Sequence, residues 1–369
     1  MSLERNFEAA RSKHPDISEL ELHFYNMKYR GIKDPVMEAG GDRPILYVFD
    51  DANFGLISFM FSEGDSPYRL ESDKILFQEE ELPFKTKMFV RLGNTLPYYY
   101  FRGPLGMFPS LHDDNVLNVN FHPKCGGCDF CFYGYRTKQL ENIIPEQGFQ
   151  RIEAETGLQD LSCLKEIAVV TGRFKSEDAL KQHILGVIDK TEERGFDKRI
   201  FYIGSQLVTP ADIEEISRRL GNDPNRFRYA YTVERFSDRS SIMHGSKGQK
   251  TYNKILNDIK GIKALGVAGQ LEYTYIVGIE DLDRFREGAE ALVPLATPHL
   301  SIIRKTGQGA NSLTMSKDYI ELGPDYTCQI RKHYEELYGG RIVGNNFANI
   351  WLFPLNEFNL SFYLDRSHF

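Results

Sequence analysis

The chain lacks the features that would place it in several large classes. No apolar run approaches the roughly eighteen residues of a membrane span, and Met1-Ser2-Leu3-Glu4-Arg5-Asn6 holds no basic stretch leading into an apolar core, so neither a membrane nor a secretory signal is expected. The cytoplasm is the expected compartment. Positive charge is not in excess: 45 Lys and Arg against 52 Asp and Glu leave a net charge of −7, so nucleic acid is not the expected partner. Cysteine is scarce. The five present are an odd number, and three crowd into one short segment, which suits a metal in a reducing compartment better than a disulfide framework. Repeats and low-complexity segments are absent as well.

What remains is a folded-protein composition, 41% hydrophobic and 26% charged over 369 residues, enough for one large α/β domain with additions. The middle of the chain carries the clearest pattern. Val116-Leu-Asn-Val-Asn-Phe121 alternates apolar and polar residues as a strand does. Strand-like runs then recur at Glu166–Thr171, Lys198–Ile203, Phe227–Val233, Gln270–Val277 and His299–Arg304. Helical patterns separate them, opening near Ser176, at Thr209-Pro210, over Lys250–Leu265 and over Asp281–Leu295. Strands alternating with helices predict a parallel sheet with helical crossovers, and six units suit a partial (β/α)6 TIM-like barrel of the α/β class better than a short open sheet, with a doubly wound fold as the alternative. Residues 113–306 are expected to form it. Residues 1–112 read as a β-rich N-terminal region with strands near Ile45–Phe49 and Leu56–Phe61. Residues 307–369 read as a C-terminal extension closing the barrel, with a helix over Asp325–Leu337 and strand-like stretches near Asn349–Phe353 and Asn359–Leu364.

The chemistry sits just after the first barrel strand, in Asn120-Phe-His-Pro-Lys-Cys125-Gly-Gly-Cys128-Asp-Phe-Cys131-Phe-Tyr-Gly134. Thiolates are soft ligands for iron–sulfur clusters or zinc, and glycines let the backbone wrap a bulky group. Three cysteines leave one iron of a cubane open to a substrate or cofactor. A zinc knot is the structural alternative, with His122 completing His-x-x-Cys-x-x-Cys-x-x-Cys. A ferredoxin site would need a fourth cysteine a few residues on, whereas the next is Cys163. A zinc deaminase would need a His-x-Glu ahead of a Pro-Cys-x-x-Cys, which is missing.

This cysteine loop, at the carboxyl end of the first strand of a β/α series, resembles the radical S-adenosylmethionine superfamily over about residues 116 to 305. The resemblance implies a 4Fe–4S cluster ([4Fe-4S]) on Cys125, Cys128 and Cys131, with S-adenosyl-L-methionine at the open iron. Phe130, before the third cysteine, matches an aromatic residue that lies near the adenine. Thr171-Gly172 falls where the family's backbone binds the methionine amino group, Glu234 where polar contacts reach the ribose or amino-acid portion, and Val277-Gly278 where a turn meets adenine. Gln206 and Arg235 end their strands beside that cofactor, and Arg304 and Lys305 are candidates for the substrate. One departure stands out: the family usually has three residues between the first two cysteines, and here only Gly126 and Gly127 intervene.

The implied activity is reductive cleavage of S-adenosylmethionine to a 5′-deoxyadenosyl radical that takes hydrogen from a small-molecule metabolite, with isomerase, lyase, epimerase, dehydrogenase or cyclase chemistry as the outcome. Only Cys163 and Cys328 lie outside the loop, too few for a second cluster, and no Asp-x-His-x-x-Gly cobalamin signature appears. The implied partners are that metabolite and an electron donor such as flavodoxin or ferredoxin. The reading from a different class is a binding protein stabilised by zinc or a redox-silent cluster, without turnover.

Overall fold

The computed structural model describes residues 3–17, 19–33, 45–50, 53–59, 66–72, 74–89, 98–102, 116–125, 127–130, 140–303 and 314–338. Two helices come first, α1 (Leu3–Lys13) and α2 (Glu19–Arg30). Five strands follow, β1 (Ile45–Asp50), β2 (Asn53–Phe59), β3 (Tyr68–Glu71), β4 (Lys74–Phe77) and β5 (Glu80–Phe89), in one antiparallel sheet of order β2-β1-β5-β4-β3. The strand patterns near residues 45 and 56 lie in this sheet, and the two helices before it went unread.

The next strand, β6 (Tyr99–Arg102), falls in the stretch expected to be N-terminal but pairs antiparallel with β7 (Val116–Val119), Tyr99 opposite Val119. From β7 the chain alternates as its pattern predicts: α3 (Pro145–Thr156), β8 (Glu166–Val170), α4 (Glu177–Glu192), β9 (Arg199–Gly204), α5 (Pro210–Arg219) and β10 (Phe227–Glu234). It continues through α6 (Gly245–Gln249), α7 (Tyr252–Leu265), β11 (Gln270–Val277), α8 (Leu282–Glu290) and β12 (Thr297–Ile302), then α9 (Lys317–Leu322) and α10 (Pro324–Leu337). Strands β7 to β12 are parallel neighbours throughout, so the fold is a partial (β/α)6 TIM-like barrel in the α/β class. The strand-like stretches near 349 and 359 lie outside the described residues.

The helices start where the local chemistry allows. Ser176 caps α4 by accepting from Ala179 N at 3.1 Å, and Thr251 caps α7 by accepting from Lys254 N at 3.3 Å. Thr209 stands at the expected cap of α5, but its hydroxyl donates instead to Glu177 Oε2 at 2.9 Å.

Each barrel strand has two buried faces. Outward residues such as Leu117, Val119, Ile167, Val169, Tyr229, Tyr231, Tyr273 and Tyr275 belong to the large apolar core shared with the helices. The tyrosines bury their rings and bond their hydroxyls, Tyr229 to Leu207 O at 2.6 Å and Tyr231 to Asp258 Oδ2 at 2.8 Å. The inner face is layered. Near the strands' amino ends Arg228, fully buried, donates to both oxygens of Glu272 at 2.7 and 2.8 Å and reaches Glu166 at 3.3 Å. His299 bonds Glu272 at 2.8 Å, and Arg199 bonds Glu166. Above this charged floor Val116, Ala168, Phe201, Ile203 and Ala230 form a separate apolar cluster. Asn118 lies opposite Ala168 of this cluster, and Thr232 and Glu234 lie farther toward the carboxyl ends.

The N-terminal helices are tied to the C-terminal ones. Asp325 of α10 accepts from Lys13 at 2.7 Å and pairs with His14 at 2.6 Å, and Asn6 donates to Glu321 O at 3.1 Å. Among the described residues no helix is long and apolar enough to cross a membrane.

Candidate metal and cofactor site

The cysteine loop leaves the carboxyl end of β7, where (β/α) barrels carry their active sites. Backbone bonds fasten it on three sides. Gly172 N, just past β8, donates to His122 O at 2.6 Å, and Arg173 N donates to Lys124 O at 3.1 Å. On the side toward α3, Ile143 N donates to Phe121 O at 2.8 Å, and Lys124 N donates to Asn142 Oδ1 at 3.0 Å. From the segment after β10, Ile242 O accepts from Asp129 N at 2.9 Å, and His244 Nε2 lies 2.8 Å from Asp129 Oδ1. Within this frame Cys125 is exposed and Cys128 half-buried. Gly127 between them adopts a left-handed φ of 71°, a conformation that side-chain-bearing residues disfavour and that tightens the turn. Cys131 lies outside the described residues, and among the described residues no three His, Cys, Asp or Glu side chains gather as a metal-binding group.

His122 does not sit as a fourth zinc ligand would. Its ring stacks on Phe174 with centroids 3.7 Å apart. Its Nε2 lies 3.2 Å from Arg173 O and 3.2 Å from Asn142 Nδ2, donating to the one or accepting from the other according to tautomer. Burial lowers its pKa, with the Arg173 carbonyl opposing. The ring thus fastens the loop to the neighbouring strand end.

The other anticipated residues fall at the carboxyl ends of the strands, in different situations. Phe130 is half-buried and packs against the core beside Cys128. Thr171 is half-buried, and Gly172 is the contact point for the loop, since a Cβ there would lie 2.3 Å from Lys124 O. Gln206 is spent on structure: its amide donates to Phe174 O at 3.0 Å and accepts from Phe174 N at 3.1 Å. Glu234 lies at an irregularity in the β10–β11 register with φ 69°, its carboxylate 3.0 Å from Lys247 and 3.3 Å from Thr274 Oγ1. Arg235 donates to Ser241 Oγ at 3.0 Å. Val277 O accepts from Ile303 N and Gly278 O from Ser316 N, both at 2.8 Å, so these two carbonyls hold the chain after β12. Arg304 and Lys305 lie outside the described residues.

Four residues went unread in the sequence. Arg239 is buried and donates to Val233 O, Arg235 O and Lys247 O, which folds the segment after β10 toward the cysteine loop. Burial lowers its pKa, against the opposing pull of Glu234, Tyr231 and Cys128. Glu280 is buried and accepts from Phe236 N at 3.1 Å and Ser237 N at 2.7 Å, clamping the same segment from β11's side. Asn118 lies on the face of β7 opposite Leu117 and Val119, and its amide, like Oδ1 of Asn120 just past the strand, has no hydrogen-bond partner among the described residues. No sequence signal marks Arg239 or Glu280, whose partners are distant backbone groups. The asparagines were visible as the polar half of an alternating strand.

No protein-family model matches the chain, and no curated protein matches it. Solved structures do. A radical SAM methyltransferase from Sphaerobacter thermophilus matches at 14% identity and TM-score 0.42 over 63% of this chain and 65% of that one. Streptococcus suis SuiB bound to S-adenosylmethionine matches at 10% identity and TM-score 0.42 over 61% and 52%. TYW1 with a lysine–pyruvate adduct bound matches at 15% identity and TM-score 0.37 over 60% and 73%. The chain thus spans less than two thirds of the length of the first two.

Proposed function

We propose that this chain is a radical S-adenosylmethionine enzyme. The observation that carries the reading is the loop of Cys125 and Cys128 at the carboxyl end of the first parallel strand, fastened through His122 and Lys124 to the end of the second. The donor set fits an iron–sulfur cluster: thiolates on a glycine-bearing loop, one exposed and one half-buried, with Cys131 next in sequence. His122, engaged with Arg173 O and Asn142, argues against the zinc knot.

Cys125, Cys128 and Cys131 would hold a 4Fe–4S cluster, which when bound supplies the reductive cleavage of S-adenosylmethionine and a 5′-deoxyadenosyl radical able to abstract hydrogen. The chain's own contribution is placement. Phe130 offers a flat apolar surface beside the thiols, Glu234 a carboxylate held by Lys247, and the apolar layer around Phe201 and Ile203 keeps water from the barrel's middle. Cys163 precedes β8, at the opposite end of the strands from the loop, and Cys328 is buried in α10, so single-cluster chemistry on a small metabolite is the reading they favour. A flavodoxin or ferredoxin would supply electrons.

The test is anaerobic reconstitution with iron and sulfide, reduction, addition of S-adenosylmethionine and detection of 5′-deoxyadenosine by mass. Product from the parent and none from Cys125→Ala supports the reading. A colourless, zinc-loaded protein that forms no product overturns it.

A further inference from the structure

Asn118 is 1% exposed, yet neither its Nδ2 nor its Oδ1 has a hydrogen-bond partner among the described residues. Two residues on, toward the cysteine loop, Asn120 is 8% exposed, and its Oδ1 has none either. Residues two apart on a strand share a face, and β7's other face, Leu117 and Val119, packs into the helix-side core. Both amides therefore belong to the inner face, directly above Val116 of the apolar cluster. A buried amide left unpaired forfeits the hydrogen bonds it makes to water in the unfolded chain, and an aliphatic residue would suit the neighbouring Val116 and Ala168 better. Stability alone does not account for Asn118.

The charges on this face select the ligand. Arg228 is paired with Glu272 and Glu166, Glu166 also with Arg199, and Glu234 with Lys247. Among the described inner-face residues every charge has its opposite beside it, so a carboxylate, phosphate or ammonium finds no countercharge at this depth. Single nitrogens of Arg228, Arg199 and His299 in the charged floor also make no hydrogen bond among the described residues, but among these side chains Asn118 is the one that leaves a donor and an acceptor open side by side. We propose that the barrel's inner face takes a neutral group presenting an N–H and a C=O together, a lactam, imide or nucleobase edge, held by Asn118 with Asn120 above it. This rests on the reading of the carboxyl-end face as a substrate site, and it narrows the substrate class to molecules with such an edge.

Equilibrium dialysis of the full-length chain against tritiated uracil and tritiated pyrrolidone tests it, with Asn118→Leu and the near-isosteric Asn118→Asp as variants matched to the parent by circular dichroism. The expected result is saturable uptake of at least one probe, weakened roughly tenfold or more in both variants, and no competition from doubly N-methylated uracil, which lacks the N–H. No saturable uptake, undiminished uptake by the variants, or equal competition by the methylated compound would show that ordered water alone satisfies Asn118 and would overturn the proposal. Displacement of the probe by S-adenosylmethionine would assign the amide to the cofactor's adenine and overturn it too. The assay needs no turnover, so its failure is separable from that of the reaction reading: 5′-deoxyadenosine without probe binding rejects only the ligand class, and probe binding without 5′-deoxyadenosine rejects only the radical chemistry.

Discussion

Gly172 and Lys124 meet backbone to backbone: a side chain on Gly172 would begin 2.3 Å from the Lys124 carbonyl oxygen and 2.8 Å from that of His122. Both obstacles are main chain, so neither swings aside as a side-chain tip would. Gly172→Ala is expected to push the cysteine loop off β8 and to destabilise the fold by about 1–3 kcal/mol, the usual range for overpacking. Urea denaturation reads the stability, and iron content after reconstitution reads the loop. A variant with parental midpoint and parental iron would contradict the contact.

Arg228 lies between two buried carboxylates, and burial alone would raise the pKa of Glu272. Arg228 and His299 outweigh that and hold it at about 2. Arg228→Leu removes the guanidinium shared by two buried carboxylates and leaves Glu166 with Arg199 and Glu272 with His299, for an expected loss of about 3 kcal/mol in a urea titration, the low end for a broken buried pair. Replacing all three with apolar residues of matched volume should recover most of the loss, because the desolvation cost then disappears with the charges. If the triple variant is as unstable as the single one, the network contributes more than charge compensation.

Acid should weaken the fold through two buried histidines. Burial holds His183 at about 4, with His122 adding repulsion, and burial with Arg11 holds His23 at about 4, both below the ordinary 6.5. The unfolded chain protonates at these positions first. Their stabilising contribution is therefore complete above 6.5 and is lost as pH falls from 6.5 toward 4. Urea midpoints across that window should fall with decreasing pH, and His183→Phe should flatten the slope. A midpoint constant through the window would rule this out.

Glu234 holds a left-handed φ of 69° that a side chain disfavours. Glu234→Gly is expected to keep the thermal midpoint at or slightly above the parent's, since relief of about 1 kcal/mol of backbone strain offsets the partly exposed Lys247 pair. S-adenosylmethionine affinity, measured by calorimetry, should fall if the carboxylate contacts the cofactor as proposed. Parental affinity in Glu234→Gly would remove this residue from the site.

Asn118 shows why part of the site was hard to read. The alternation Val116-Leu-Asn-Val-Asn-Phe121 has the same pattern as a strand with one wet face, and local sequence does not distinguish water from a barrel interior as the destination of the polar residues. Arg228 and Glu272 pose the same difficulty, since each resembles a solvated strand residue until neighbouring strands bring them to 2.7 Å. Gln206 and Arg235 illustrate the converse. Their places at strand ends were legible, but the bonds to Phe174 and Ser241 that occupy them come from loops that meet only in three dimensions.

The sequence by itself determined the alternation of strands and helices, and with it the parallel sheet, because strand and helix periods are local consequences of backbone geometry. It also determined the grouping of the cysteines, whose spacing is covalent. Only the tertiary structure decided which polar residues are buried, which are already paired, and that the cysteine loop is held by Gly172, Asn142 and Ile242, because each of those outcomes depends on distances between segments that the order of residues leaves open.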